Sequence, residues 1–202
     1  MTRSPEKPRR SDWRLIPNQL TLSRFAAAAA IPLVFVFLES PSSDIVALVL
    51  FAYASLTDFL DGWLARALNQ TSKLGARLDP LADKALLLAT LAPLCLIAFE
   101  ADALFWTGAA VIAVREIGVS LLRQWRPNAA ALTVRRDAKW KTAAQMTAVS
   151  ALLAVGVLEH YFGAAPAEAV RTFGLVVFAI AVVLSATTGL AYLRGALSAP
   201  RD

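Results

Sequence analysis

The sequence predicts an all-α, polytopic membrane protein with six transmembrane helices. Three observations carry that expectation: long apolar blocks, turn-forming residues that divide them, and basic charge confined to alternate connections. Of the 202 residues, 57% are hydrophobic, and the mean hydropathy is +0.56. A soluble domain carries about 45–50% apolar residues, broken into short periodic runs. Here they form blocks such as Ala26 to Leu38, Ile45 to Leu56 and Leu175 to Leu184. Roughly 20 apolar residues in a helix cross a bilayer core, and several segments reach that length.

The spans are expected at about 20–38, 45–67, 76–99, 103–124, 141–160 and 169–193. Turn chemistry in the Glu39–Asp44 connection, at Glu100 to Asp102 and around Gly163-Ala164-Ala165-Pro166 separates them. No internal repeat or second domain is visible. Residues 1–15 read as a Pro- and Arg-rich cytoplasmic arm, 16–196 as one six-span domain, and 197–202 as a cytoplasmic tail. Arg9-Arg10 faintly resembles a twin-arginine export signal, but Arg24 breaks the apolar run that would follow, so the first helix is expected to be uncleaved. The single cysteine, Cys95, rules out an internal disulfide and reads as a small buried hydrophobe. One histidine, His160, cannot make a zinc site alone.

Lysine and arginine set the expected orientation. The arm carries Arg3, Lys7, Arg9, Arg10 and Arg14. The connection after span two has Arg66, Lys73 and Arg77, and the one after span four has Arg126, Arg135, Arg136, Lys139 and Lys141. The other three connections hold Arg171 against six acidic residues, Glu39, Asp44, Glu100, Asp102, Glu159 and Glu168. Both termini are therefore expected in the cytoplasm, with the net charge of +5 on the inner face beside anionic membrane lipid. Trp13, Trp63, Trp125 and Trp140 fall near that interface and Trp106 near the outer one, as anchors do. No soluble basic module is present, so a nucleic-acid partner is not expected.

The informative stretch is Asp58 to Asp83. An ionised Asp near a bilayer centre costs roughly 2.5–3.5 kcal/mol on insertion scales, so four in one hydrophobic pair call for compensating cations. At about 100° per residue, Asp61 lies about 60° from Asp58, Gly62 about 40° and Ala65 about 20°, all on one stripe of span two. Gly75, Asp79 and Asp83 recur every four residues on span three and share a stripe there. With a short turn of Leu68 to Lys73 between them, the two spans are expected to be antiparallel neighbours, with the stripes able to face each other. Oxygen-only ligands suit magnesium, manganese or calcium rather than zinc or copper. Four carboxylates can hold two divalent ions about 3.5–4 Å apart, an arrangement that clamps phosphoryl transfer. Gly62 and Ala65 lack bulk, so a ligand can approach the backbone or a helix can pack closely. The competing structural reading is an ion-pair network of the aspartates with Arg66, Arg77 and Lys84.

These residues resemble a family. The chain is similar to the CDP-alcohol phosphatidyltransferases, whose signature D-x2-D-G-x2-A-R-x8-G-x3-D-x3-D is met at every position by Asp58, Asp61, Gly62, Ala65, Arg66, Gly75, Asp79 and Asp83. The resemblance implies the family fold over nearly the whole chain after the arm. It implies two divalent cations, Mg2+ or Mn2+, held by Asp58, Asp61, Asp79 and Asp83, with Asp83 also the catalytic base. It further implies that the CDP group lies against Gly62, Ala65, Arg66 and Gly75, and that an acceptor hydroxyl attacks the β-phosphorus of a CDP-lipid with loss of CMP. Dimers are common in the family, so a homodimer enters as an expectation with no interface marked in the sequence.

Within the family, Ile16 to Arg24, Asp79 to Lys84, Arg115-Glu116-Ile117 with Leu122-Arg123, and Lys139 to Met146 resemble the bacterial phosphatidylglycerophosphate-forming branch. That resemblance implies CDP-diacylglycerol as donor, sn-glycerol-3-phosphate as acceptor and the bacterial cytoplasmic membrane as location. Ala138 stands where the branch usually has glycine, and cardiolipin synthases share the L-D-P-L-A-D-K run, so cardiolipin synthesis from phosphatidylglycerol is the alternative. The acceptor phosphate needs cations near the aspartates, and Arg24, Arg115, Arg135, Lys139 and Lys141 are the candidates. Inner-face topology alone also explains basic loops, but less readily for Arg115, which sits inside a span. A divalent-cation transporter is the reading from a different class. Transporters tend to gather ligands at the midplane on broken helices, whereas these carboxylates cluster at one edge.

Overall fold

The computed structural model describes residues 16–67, 75–125 and 135–198, all helical or in short connections. Among the described residues six α-helices follow one another: α1 (Ile16–Phe37), α2 (Ser42–Ala67), α3 (Gly75–Pro93), α4 (Ala103–Trp125), α5 (Arg135–Phe162) and α6 (Ala164–Ser198). They correspond in order to the six expected spans. The expected arm over 1–15 and the connection at Leu68 to Lys73 lie outside the described residues. So do 199–202, whereas α6 itself runs past the expected domain edge at 196. Five helices, all but α2, are long and apolar enough to cross a membrane by length and composition. α2 carries Asp44, Asp58, Asp61 and Arg66 along its length.

Local chemistry explains the helix ends. Asp102 caps α4, its Oδ1 accepting from the backbone N–H of Leu104 at 2.9 Å and of Phe105 at 3.0 Å. Asp44 lies in the first turn of α2, where its charge favours the helix dipole. Gly163 alone separates α5 from α6. It has φ of 86° and donates to the Glu159 carbonyl at 3.2 Å, a left-handed cap that costs glycine little. The turn expected across residues 163–166 thus narrows to one residue, with Pro166 tolerated in the opening turn of α6. Pro93 lacks the N–H that would bond Ala89, and a π-helical turn, Leu94–Ala98, follows it.

α5 and α6 form one long hairpin, α4 packs on α6, and α2 packs on α5. α1 packs on both α2 and α3, which touch each other only slightly. The shared core includes Ile31, Phe51, Leu86, Ile112, Leu153 and Phe178. At the end opposite the aspartates, Phe99, Phe105 and Phe178 stack with centroids 4.2 and 4.5 Å apart. Gly108 admits that stack, since a Cβ there would sit 2.8 Å from the Phe178 ring. The outer surface is apolar, with Phe37, Val114 and Leu104 among its exposed side chains. A coat of this kind suits lipid rather than water. Trp140 and Trp106 are exposed as well, as interfacial anchors would be.

Candidate active site

The first polar cluster is assembled by α1. Thr21 Oγ1 donates to Asp79 Oδ1 at 2.7 Å. Three residues on, Arg24 Nη1 donates to Asp58 Oδ1 at 2.7 Å and to Asp83 Oδ1 at 2.8 Å. The Arg24 side chain is fully buried, whereas those of Asp58 and Asp83 stay 48% and 34% exposed. A buried guanidinium is tolerable only because carboxylates neutralise it. Ala27 and Ala28, both buried, keep the next turn of α1 slim enough to sit against its neighbours.

Spans two and three are expected to be neighbours with stripes able to face each other, and the structure adds a third helix to that pair. α1 lies against both helices, and its arginine joins their carboxylates. Arg24, expected at the acceptor phosphate, has its Nη1 engaged by Asp58 and Asp83. The ion-pair alternative named Arg66, Arg77 and Lys84. Lys84 donates to Ser120 on α4, and the side chains of Arg66 and Arg77 lie outside the described residues. Asp61, Gly62, Ala65 and Arg66 sit on the last turns of α2, but their side chains are likewise outside the description. Gly75 is buried and opens α3.

The donors at this end are hard oxygens, which suit Mg2+ or Mn2+. Among the described residues no three acidic side chains form a ready coordination shell. The carboxylates of Asp58, Asp79 and Asp83 nevertheless converge on one α1 face, and all three remain partly accessible. By donor chemistry and access, these three carboxylates fit a divalent-ion site.

A second cluster sits on the other side of α3, one position along. Lys84, next to Asp83, bonds Ser120, and Ser120 Oγ donates back to the Glu116 carbonyl at 2.7 Å. The buried Glu116 carboxylate takes a hydrogen bond from Lys141 on α5 and another, at 3.1 Å, from Arg115 Nη1. Nearby Gln145 donates to Ser185 on α6 at 3.1 Å, both buried. The Arg115 guanidinium lies 5.8 Å from the centre of the Tyr192 ring, a cation–π distance. Gly189 gives it room, since a Cβ there would come within 3.0 Å of Arg115 Cγ. Arg115 Nε is buried without a hydrogen-bond partner, and the side chain lines an otherwise apolar groove of about 680 Å³ between α4 and α6.

Two cations thus share one carboxylate, leaving a net positive charge in a largely buried place. The chemistry favours an anion with several oxygens. Of the expected acceptor cations, the structure brings Arg115 and Lys141 together. Arg135 and Lys139 are on the first turns of α5, with side chains outside the description. Sequence reasoning assigns no site role to Thr21, Gln145, Ser185 or Tyr192. The available signal was polarity inside otherwise apolar helices.

The sequence profile of the CDP-alcohol phosphatidyltransferase family matches residues 14–187, taking in the first cluster and the charged residues of the second. The chain belongs to this family. This phosphatidyltransferase is therefore an enzyme, and its apolar helices make it an integral membrane protein. It is 36% identical over 218 aligned positions to a CDP-diacylglycerol–glycerol-3-phosphate 3-phosphatidyltransferase from Cereibacter sphaeroides, covering 93% of this chain and 97% of that one. A protein of the same name from Shigella flexneri is 34% identical, with 90% and 94% covered. A cardiolipin synthase (CMP-forming) from Oryza sativa is 37% identical over 150 positions, with 69% of this chain and 45% of that one covered.

Proposed function

We propose that this phosphatidyltransferase moves the phosphatidyl group of CDP-diacylglycerol onto sn-glycerol-3-phosphate, giving phosphatidylglycerophosphate and CMP. The observation that carries the reading is the pair of clusters flanking α3: carboxylates at Asp83 on one side, and Arg115 with Lys141 beyond Lys84 on the other. One side suits the pyrophosphate of the donor, and the other suits the phosphate of a small acceptor. The relatives matched over nearly their whole length carry the glycerol-3-phosphate name.

Asp58, Asp61, Asp79 and Asp83 would hold two Mg2+ or Mn2+ ions, which offset the charge of the pyrophosphate and of departing CMP. Gly62, Ala65, Arg66 and Gly75 line the stripe on which the CDP group rests. Arg115 and Lys141, with Arg135 and Lys139 from the same segment, hold the acceptor phosphate and so aim its free hydroxyl. Asp83 accepts the hydroxyl proton as the oxygen attacks the β-phosphorus. The new P–O bond forms there, and the bond to CMP breaks. The Lys/Arg asymmetry of the connections supports a site open to the cytoplasm of a bacterial cell, in its cytoplasmic membrane, with both termini on that side. A homodimer is compatible with the broad apolar outer surface.

The test is product identity. Purified protein in detergent is given CDP-diacylglycerol with glycerol-3-phosphate, phosphatidylglycerol and other alcohols in turn, and the lipid formed is weighed by mass spectrometry. Phosphatidylglycerophosphate is expected as the fastest product. Faster turnover of phosphatidylglycerol to cardiolipin would move the assignment to the cardiolipin branch.

A further inference from the structure

The aspartates are held from behind. Thr21 and Arg24 reach them from inside the protein, where both are buried. The carboxylates that receive these bonds lie toward the accessible side, Asp58 more than Asp83. All three bonds end on Oδ1. A carboxylate has two oxygens, so a donor fixed at one stops rotation and leaves the other for an ion. Because a single nitrogen, Arg24 Nη1, touches both Asp58 and Asp83, it also fixes α2 and α3 relative to each other at this level.

We propose that Thr21 and Arg24 are positioning residues for the divalent-ion site, anchoring one oxygen of each of three aspartates so that the others face the ions. The inference rests on the reading that the aspartates hold ions, and it assigns α1 a role apart from binding acceptor phosphate. Two effects of Arg24 oppose each other. Its charge repels a cation, but at a partly exposed site the effective dielectric is high and this repulsion is weak. Its hydrogen bonds stop like-charged carboxylates from swinging apart, and outer partners of ligating groups typically contribute about 10–100-fold in metal affinity. The orienting effect wins.

The experiment measures Mn2+ affinity of the purified protein in detergent, without nucleotide or acceptor, by electron paramagnetic resonance of the free ion. Arg24→Gln is expected to weaken binding by about 10–100-fold. Thr21→Val, which removes one hydroxyl and keeps the shape, weakens it by less, and Thr21→Ser restores it. If Arg24→Gln does not yield folded protein, the Thr21 pair decides alone. Wild-type binding with unchanged affinity in Thr21→Val and in any folded Arg24→Gln would overturn this inference and leave the aspartate site standing. Tighter binding in Arg24→Gln would show Arg24 to be a competitor of the ion and overturn it too. Wild-type protein that takes up no Mn2+ would remove both the site and its anchors.

Discussion

Lys141 on α5 hydrogen-bonds to the Glu116 carboxylate on α4, a contact between residues 25 apart in sequence and both buried. With Arg115 on the same carboxylate, Glu116 is the common anion of two cations. Removing one partner of a buried pair leaves an uncompensated charge and costs about 3–5 kcal/mol. Glu116→Gln should therefore lower the unfolding midpoint in detergent sharply. Lys141→Met in that background should recover part of the loss, with a coupling of about 0.5–3 kcal/mol. Strictly additive effects of the two changes would mean that the pair does not interact energetically.

The aspartates should behave as a unit. Asp58→Asn, Asp61→Asn, Asp79→Asn and Asp83→Asn are each expected to lower turnover by at least about 10²-fold, the scale of losing one electrostatic stabiliser. The protein should remain inserted in each case. EDTA should abolish activity, and added Mg2+ or Mn2+ should restore it. Near-normal turnover in any two of the variants is incompatible with a two-ion site.

Arg115 should act on the acceptor. A hydrogen bond to a charged group is typically worth about 1.5–3 kcal/mol, so Arg115→Ala should reduce kcat/KM for glycerol-3-phosphate by roughly 10- to 150-fold. CDP-diacylglycerol affinity should change little, because the proposed donor site is at the aspartates, across α3 from Arg115. Phosphatidylglycerol carries a diester monoanion and should depend less on this cation. An equal loss of donor affinity would place Arg115 with the nucleotide instead.

Orientation is open to a labelling test. In a Cys95→Ala background, which removes a buried thiol, cysteine at position 72 should react only with reagent on the cytoplasmic face. Cysteine in place of Ser42, at the exposed start of α2, should react only from the other face. The reverse pattern would turn the topology over and move the site to the opposite side.

The sequence by itself determined the helices and the chemistry. Apolar blocks long enough to span lipid have one way to satisfy their backbone there, as helices, and Asp102 and Gly163 carry their capping roles in their residue types. The spacing of Asp58, Asp61, Asp79 and Asp83 is local information, because helix periodicity turns sequence intervals into faces. Which helix lies against which is not local. Nothing in the order of spans says that α1 packs against both α2 and α3, or that Arg24 bonds Asp58 and Asp83. Likewise Glu116, Lys141, Gln145 and Ser185 meet only because α4, α5 and α6 pack as they do. In a lipid-facing bundle, polar side chains gain most by finding one another across helices, and only the tertiary structure decided those pairings.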